Sequence, residues 1–174
     1  MAVGQLINPS HNSVMKTISR VLIRRAADRD AAAVSSVLRQ AFAEYEPLYT
    51  KQGYAATTPE SAAILVRMQE GPLWVAQQEE QIVGTASAVR KKTGVYVRGM
   101  AVLPGSKGRG IGRLLLETIE AFAAEEGCKR LFLTTTPFLL RAIRLYEGFG
   151  FRVVDDGVQD LFGTPLFTME KMLV

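Results

Sequence analysis

Hydrophobic positions along the chain switch several times between a period of two and a period near three and a half. From Arg20, Arg-Val-Leu-Ile-Arg-Arg predicts a first strand. Ala33, Val34, Val37, Leu38 and Phe42 then recur at helical spacing, with Asp28 or Asp30 available as a cap. The period disappears in Ala43-Glu-Tyr-Glu-Pro-Leu-Tyr-Thr-Lys-Gln-Gly-Tyr54, which reads as an irregular acidic and aromatic stretch. A second helix is predicted after it, with Thr58 as cap, Pro59 at the first position, and Ile64, Leu65 and Met68 on the buried side.

Leu73-Trp-Val-Ala-Gln77 and Gln81-Ile-Val-Gly-Thr-Ala-Ser-Ala-Val89 flank Glu79-Glu80 as a hairpin, and Arg90-Lys-Lys-Thr-Gly94 makes the next turn. Val95-Tyr-Val-Arg-Gly-Met-Ala-Val-Leu103 is a strand stopped by Pro104-Gly105. Beyond a glycine-rich turn, Ile111, Leu114, Leu115, Ile119, Phe122 and Ala123 form the stripe of a longer helix, and Gly127 suits its C-terminal cap. Arg130-Leu-Phe-Leu-Thr-Thr135 is a buried-type strand. Thr136-Pro137 reads as a helix start, Leu139, Ala142, Ile143 and Tyr146 share one face, and Gly148 ends the helix. Phe149-Gly-Phe-Arg-Val-Val154 and Leu166-Phe-Thr-Met-Glu-Lys-Met172 supply the last two strands, with a polar segment, residues 155–164, between them. The order βααβββαβαββ predicts an α/β (α+β) fold: a mixed sheet of about seven strands flanked by about four helices on both faces.

The turn between the strand from Val95 and the helix from Ile111 is where the chemistry concentrates. A helix begins with amide N–H groups that have no partner within it, and its dipole places partial positive charge there. Gly108, Gly110 and Gly112 carry no Cβ, and Lys107, Arg109 and Arg113 surround the same point with full charges. That combination describes a phosphate or pyrophosphate site. Tight packing of a strand–helix turn is the alternative use of the same glycines. A P-loop is excluded because Gly105-Ser-Lys-Gly108 has the wrong order; a GxGxxG starting at Gly108 is excluded by Arg113.

Length and composition narrow the setting. A chain of 174 residues suits one domain, expected over residues 19–174, preceded by a polar extension over 1–18 without the apolar core of a secretory signal. A net charge of +4 suits an anionic ligand and is too small to argue nucleic-acid binding. No apolar run approaches the ~20 residues needed to span a membrane. One cysteine, Cys128, leaves no internal disulfide and no zinc cluster, and the single histidine, His11, leaves no His-based metal site or Ser-His-Asp triad. No metal and a cytoplasmic setting are the expectations.

Two signatures give the chain a family resemblance. Val102-Leu-Pro104 followed by Lys107-Gly-Arg-Gly-Ile-Gly112 resembles the Gln/Arg-x-x-Gly-x-Gly/Ala turn of the GCN5-related N-acetyltransferase (GNAT) superfamily, with Lys107 where Gln or Arg is usual. Ala142-Ile-Arg-Leu-Tyr-Glu-Gly-Phe-Gly-Phe151 is similar to the superfamily's later Ala-x-x-Leu-Tyr-x-x-x-Gly-Phe signature, with Leu139 where an asparagine is common. The resemblance implies acetyl-CoA (coenzyme A) as cofactor and transfer of its acetyl group to an amine. The pyrophosphate falls to Lys107, Gly108, Arg109, Gly110, Ile111, Gly112 and Arg113. The pantetheine arm falls to the main chain of Met100, Ala101 and Val102, where two strands splay. Tyr146 is implied as the donor to the leaving thiolate, against the alternative of a core tyrosine on the same apolar face. A homodimer is also implied by the resemblance.

An acceptor ammonium must lose a proton before it attacks, so a base or a water relay is needed. Glu44 and Glu46 are the candidates, and Tyr45, Tyr49 and Tyr54 in the same stretch are candidate walls of an acceptor pocket, equally readable as a self-packed surface loop. The acceptor itself, a small molecule or a peptide, is left open. A non-catalytic acyl-CoA-binding sensor is the alternative function, and nucleic-acid binding through the basic turns is a weaker one.

Overall fold

The computed structural model describes residues 20–174; the expected extension over 1–18, with His11, lies outside the described residues. All seven strands join one sheet: β1 (Val21–Arg25), β2 (Leu73–Gln78), β3 (Gln81–Lys91), β4 (Gly94–Val102), β5 (Arg130–Thr135), β6 (Arg152–Leu161) and β7 (Thr164–Met172). Their spatial order is β1-β2-β3-β4-β5-β7-β6, and every pair is antiparallel except β4 with β5. The β4–β5 connection contains a helix, as a parallel crossover requires. The helices are α1 (Ala31–Phe42), α2 (Lys51–Thr57), α3 (Ser61–Glu70), α4 (Ile111–Glu125) and α5 (Leu140–Phe149).

Side-chain alternation assigns the two faces. A Cβ on Gly84 would stand 3.1 Å from Ile111 Cγ2, and Trp74 meets Phe122 edge-on at 5.5 Å, so these positions face α4. Ser87, one step out of phase with Gly84, faces the other way, and its β4 partner Arg98 reaches Glu70 of α3 on that side. Leu115, Leu116, Ile119 and Ala123 of α4 are fully buried against the sheet. The buried stripe therefore includes Leu116, whereas Leu114 is 38% exposed.

Two irregularities in β4 shape the centre of the molecule. Thr85 pairs with Ala101 but Ser87 pairs with Arg98, so β4 carries one extra residue opposite β3. Gly99, at φ +61°, takes the left-handed conformation that this bulge needs. The parallel pairing of β4 with β5 consists of Val95 with Leu131 and Tyr96 with Phe132 and goes no further. From there β4 continues to Val102 and β5 to Thr135 without bonding each other, which opens a wedge through the sheet.

Several predicted boundaries are corrected. The stretch expected to be irregular holds a 3-10 turn, Ala43–Leu48, and the start of α2, which runs on to Thr57 and whose cap is Thr50 accepting from Gly53 N. Thr58 closes α2, donating to Tyr54 O, rather than opening α3, and Leu65 is 38% exposed. Asp30 precedes α1 but bonds Ala27 N at 2.7 Å and Arg24 rather than capping the helix. Thr136 and Pro137 form a turn, and α5 starts at Leu140 and ends with Gly150 at φ +106°. The expected polar linker is β-structure: β6 runs to Leu161 and pairs β7 around an irregularity between Val154 and Gln159.

Candidate active site

The glycine turn is open and its amides are free. Pro104–Ser106 is a single 3-10 turn, Lys107 N–H reaches Pro104 O at 3.5 Å, and the next amide to join a ladder is Leu114, bonded to Gly110 O at 3.1 Å. Among the described residues, the N–H groups of Gly108, Arg109, Gly110, Ile111, Gly112 and Arg113 have no hydrogen-bond partner. Gly108 and Gly110 sit at φ +79° and +76°, the conformation that turns successive amides toward one concavity. Nothing stands within 4 Å of a Cβ added at Gly110, so that position faces open space. Gly112 differs: a Cβ there would lie 2.7 Å from Leu145 Cδ2 and 3.3 Å from Met100 Cε. The first two glycines thus shape the turn, and the third lets α5 approach α4.

Cations ring the turn. Lys107 Nζ lies 3.5 Å from Glu44 Oε1, Arg109 donates to Gln78 at 3.4 Å, and Arg113 pairs with Glu117 at 3.1 Å while covering the Phe149 ring at 5.4 Å. These contacts are long or exposed, and such pairs are held by at most about 1 kcal/mol, so the heads can turn to another anion. A fourth cation escaped sequence reasoning: Arg141, in the first turn of α5, brings Nη2 to 3.8 Å from the Cβ position of Gly108. No spacing rule links these two positions; only the packing of α5 on α4 does.

From the turn a cavity of about 310 Å³ runs along the wedge. One wall is Met100, Ala101 and Val102 of β4; another is Leu139, just before α5, with Ala142, Leu145 and Tyr146 of α5; Ala41, Phe42 and Tyr45 supply a third. Every expected cofactor residue except Arg109 lines it. Leu139 contributes an apolar wall where an asparagine would have offered a polar contact. Ser106, nearly buried beside the turn, is a lining residue that sequence reasoning missed.

Tyr146 is nearly buried, packs against Phe151 at 5.8 Å, and has no hydrogen-bond partner for its hydroxyl among the described residues. Burial, helped by neighbouring Tyr96 and Tyr49, raises its phenol far above the ordinary range, so it stays protonated. Tyr96 and Tyr49 belong to the opposite face of the sheet: the Tyr96 hydroxyl bonds that of Thr134, two residues past the last paired rung, at 3.0 Å, and Tyr49 meets Phe138 edge-on at 4.9 Å. Tyr146 therefore stands where the wedge connects the two faces. Thr136 Oγ1, just past β5, is buried beside the Tyr49 hydroxyl, whose ionised form it would stabilise while burial of the Tyr49 ring raises the phenol overall. Glu44 and Glu46 are exposed in the 3-10 turn and line no part of the cavity. Glu44 lies over the glycine turn through Lys107, and Glu46 lies near Tyr54, whose phenol is raised by burial and then by that carboxylate.

Residues 34–151 match the model of the Acetyltransferase (GNAT) family. The chain belongs to that family. As a GNAT acetyltransferase it is 34% identical over 141 residues to the uncharacterized N-acetyltransferase YjgM of Escherichia coli (strain K12), covering 77% of this chain and 83% of that protein. It is 33% identical over 87 residues to N-acetyltransferase 8B of Rattus norvegicus, a match of 45% of this chain and 38% of that one. The GNAT fold is shared with PaiA N-acetyltransferase from Thermoplasma acidophilum in complex with coenzyme A, at TM-score 0.74, 19% identity, and coverage of 88% and 99%. It is shared equally with the ribosomal-protein-S18-alanine N-acetyltransferase of Escherichia coli, at TM-score 0.71, 17% identity, and coverage of 88% and 94%. The family makes the chain an N-acetyltransferase, and a non-catalytic sensor is not favoured. No helix among the described residues is long and apolar enough to cross a membrane.

Proposed function

We propose that the residues at the start of α4 hold the diphosphate of acetyl-CoA and that the wedge between β4 and β5 guides its thioester arm to Tyr146. The observation that carries this reading is the run of six amides at residues 108–113, unpartnered among the described residues and ringed by Lys107, Arg109, Arg113 and Arg141. Main-chain groups of Met100, Ala101 and Val102 that β5 leaves unbonded receive the extended arm as an added strand. Bound acetyl-CoA supplies an activated acetyl group, whose C–S bond breaks as the acceptor nitrogen forms its bond to the carbonyl carbon. An N–H of the β4 wall steadies negative charge on the carbonyl oxygen during attack. The Tyr146 hydroxyl, kept neutral by burial, donates its hydrogen to the departing sulfur.

The amine enters from the α1–α3 face, past Tyr45 and Tyr49. Its proton leaves through water to Glu44 or Glu46, whose exposure suits a relay better than direct contact. A cytoplasmic setting is supported by the single cysteine, and a homodimer by the exposed apolar residues Val153, Val158 and Phe162 in and beside the edge strand β6. The test is incubation with acetyl-CoA, a thiol reagent and a panel of amines. Thiol release that depends on an amine is expected; tight coenzyme A binding with no amine-dependent release would overturn the assignment.

A further inference from the structure

On the α3 side of the wedge lie two guanidinium groups that the cofactor site does not use. Arg98 leaves β4 one residue before the Gly99 bulge, and Arg67 of α3 lies over it, with Nη1 3.6 Å from where a Cβ of Gly99 would stand. Arg67 is anchored through Nη2 to Ala56 O at 2.8 Å, and among the described residues no carboxylate comes within ion-pair distance of it. Arg98 Nη2 is 2.7 Å from Glu70 Oε2, yet Nε and Nη2 are buried without an aligned hydrogen bond. Glu70 therefore neutralises charge without satisfying those donors, and it is itself 43% exposed. The two cations have one carboxylate between them, paired with Arg98 alone, which leaves a single positive charge and two Arg98 nitrogens without an aligned bond. A purely structural cluster would be expected to close this imbalance, because buried unpaired donors and charges are costly. Burial and then the neighbouring Arg98 push the Arg67 guanidinium below its ordinary value, a penalty that a bound anion would relieve.

We propose that the acceptor is an amino acid or a close derivative, whose carboxylate is received by Arg67 and Arg98 while its amine enters the wedge. This rests on the acetyl-transfer reading above. The charge left over is one, which matches a carboxylate, and arginine's planar fork matches its two oxygens. Position argues for a small acceptor. Gly99, beneath Arg67, directly precedes Met100 in the wall of the cofactor cavity, and successive strand residues advance by about 3.3 Å. Amine and carboxylate are therefore only a few bonds apart. An acceptor carrying extra positive charge, such as a polyamine, would meet Arg67 and Arg98 with like charge.

The test compares free α-amino acids with the matching α-carboxamides, which remove the negative charge and keep the amine. Calorimetry on the coenzyme A-loaded protein should show amino acids binding at least about tenfold more tightly than their carboxamides, the cost of losing one charge-assisted bond. Arg67→Gln and Arg98→Gln should narrow that ratio, and Arg67→Lys and Arg98→Lys should retain part of it. Equal or tighter binding of the carboxamides, no binding of either form, or an unchanged ratio in both glutamine variants would overturn the proposal. The wild-type comparison stands even if a variant fails to fold. Thiol release, measured separately, tests the chemistry. Carboxylate-selective binding without release would uphold the anion site and refute the transferase mechanism. Preferred turnover of carboxamides or polyamines would do the reverse.

Discussion

Gly110→Ala separates the two uses a glycine turn can have. Gly110 sits at φ +76°, where an L-residue with a Cβ is disfavoured by about 1–2 kcal/mol. No protein atom lies within 4 Å of the added Cβ, so no steric term from the chain itself accompanies that strain. At about 2–4 °C per kcal/mol for a chain of this size, the melting temperature should fall by roughly 2–8 °C. The effect on coenzyme A should be larger. Lifting a diphosphate off one amide forfeits a charge-assisted hydrogen bond of about 1.5–3 kcal/mol, which is about tenfold to 150-fold in Kd. Thermal melts and calorimetry on the same preparation measure both. Gly105→Ala is the matched control: it also meets nothing within 4 Å, but its φ is not in the left-handed region. A Kd for Gly110→Ala within twofold of wild type, alongside the predicted melting shift, would show that the turn serves conformation only.

Tyr146→Phe keeps the ring against Phe151 and removes the hydroxyl, so kcat should drop by about 100-fold while the coenzyme A Kd stays within threefold; equal turnover would refute the donor role. Because burial raises the Tyr146 phenol, the rate profile of the wild type should show no limb from its ionisation below pH 10; a Tyr146-dependent limb near pH 8 would contradict this. Asp30→Asn weakens a bidentate bridge to the partly exposed Arg24 at 2.8 and 3.0 Å and should cost about 2 kcal/mol near pH 7, the worth of a charge-assisted hydrogen bond, read from denaturant midpoints. Arg24 holds the Asp30 carboxyl, and Arg130 the Glu170 carboxyl, below their ordinary values. Groups depressed in the folded state stabilise above the unfolded pKa and lose that contribution as pH falls through the folded one. Stability should thus be flat from neutral pH to about 5 and decline through pH 4 and below, with a shallower decline in Asp30→Asn.

What the sequence made legible, and what it hid, follows from the range of the interactions involved. The strand from Arg130 to Thr135 was readable to the residue because its β-branched and apolar run is bounded by turn signals, and the turn at residues 107–113 because glycine and charge are local properties. The short helix α2 was hidden. Gly53 and Tyr54 weaken its helical signal, and it is held from outside, by Thr50 bonding Phe162 O and Thr164. The segment before Thr164 looked like a polar linker because Asp155, Asp156, Gly157, Gln159 and Asp160 leave no apolar alternation, although pairing with β7 makes it a strand. Leu114 and Leu116 exchanged places because a one-residue rotation on α4 is set by the sheet it meets, not by the stripe itself. At the site, Arg141, Ser106 and the Arg67–Arg98 pair come from elements distant in sequence, and Arg98 stood in plain view as an ordinary strand residue. Only the bulge at Gly99 and the end of β4–β5 pairing show what surrounds it.

Acetyl transfer by this protein depends on six amides, idle among the described residues, holding a diphosphate beside a gap in the sheet. A crystal structure of the protein with coenzyme A tests that most directly. Pyrophosphate oxygens should lie within ~3.2 Å of amides at residues 108–113, with the thiol arm between β4 and β5 and its sulfur toward Tyr146. A diphosphate bound elsewhere on the surface, or a thiol arm lying outside the wedge, would contradict it.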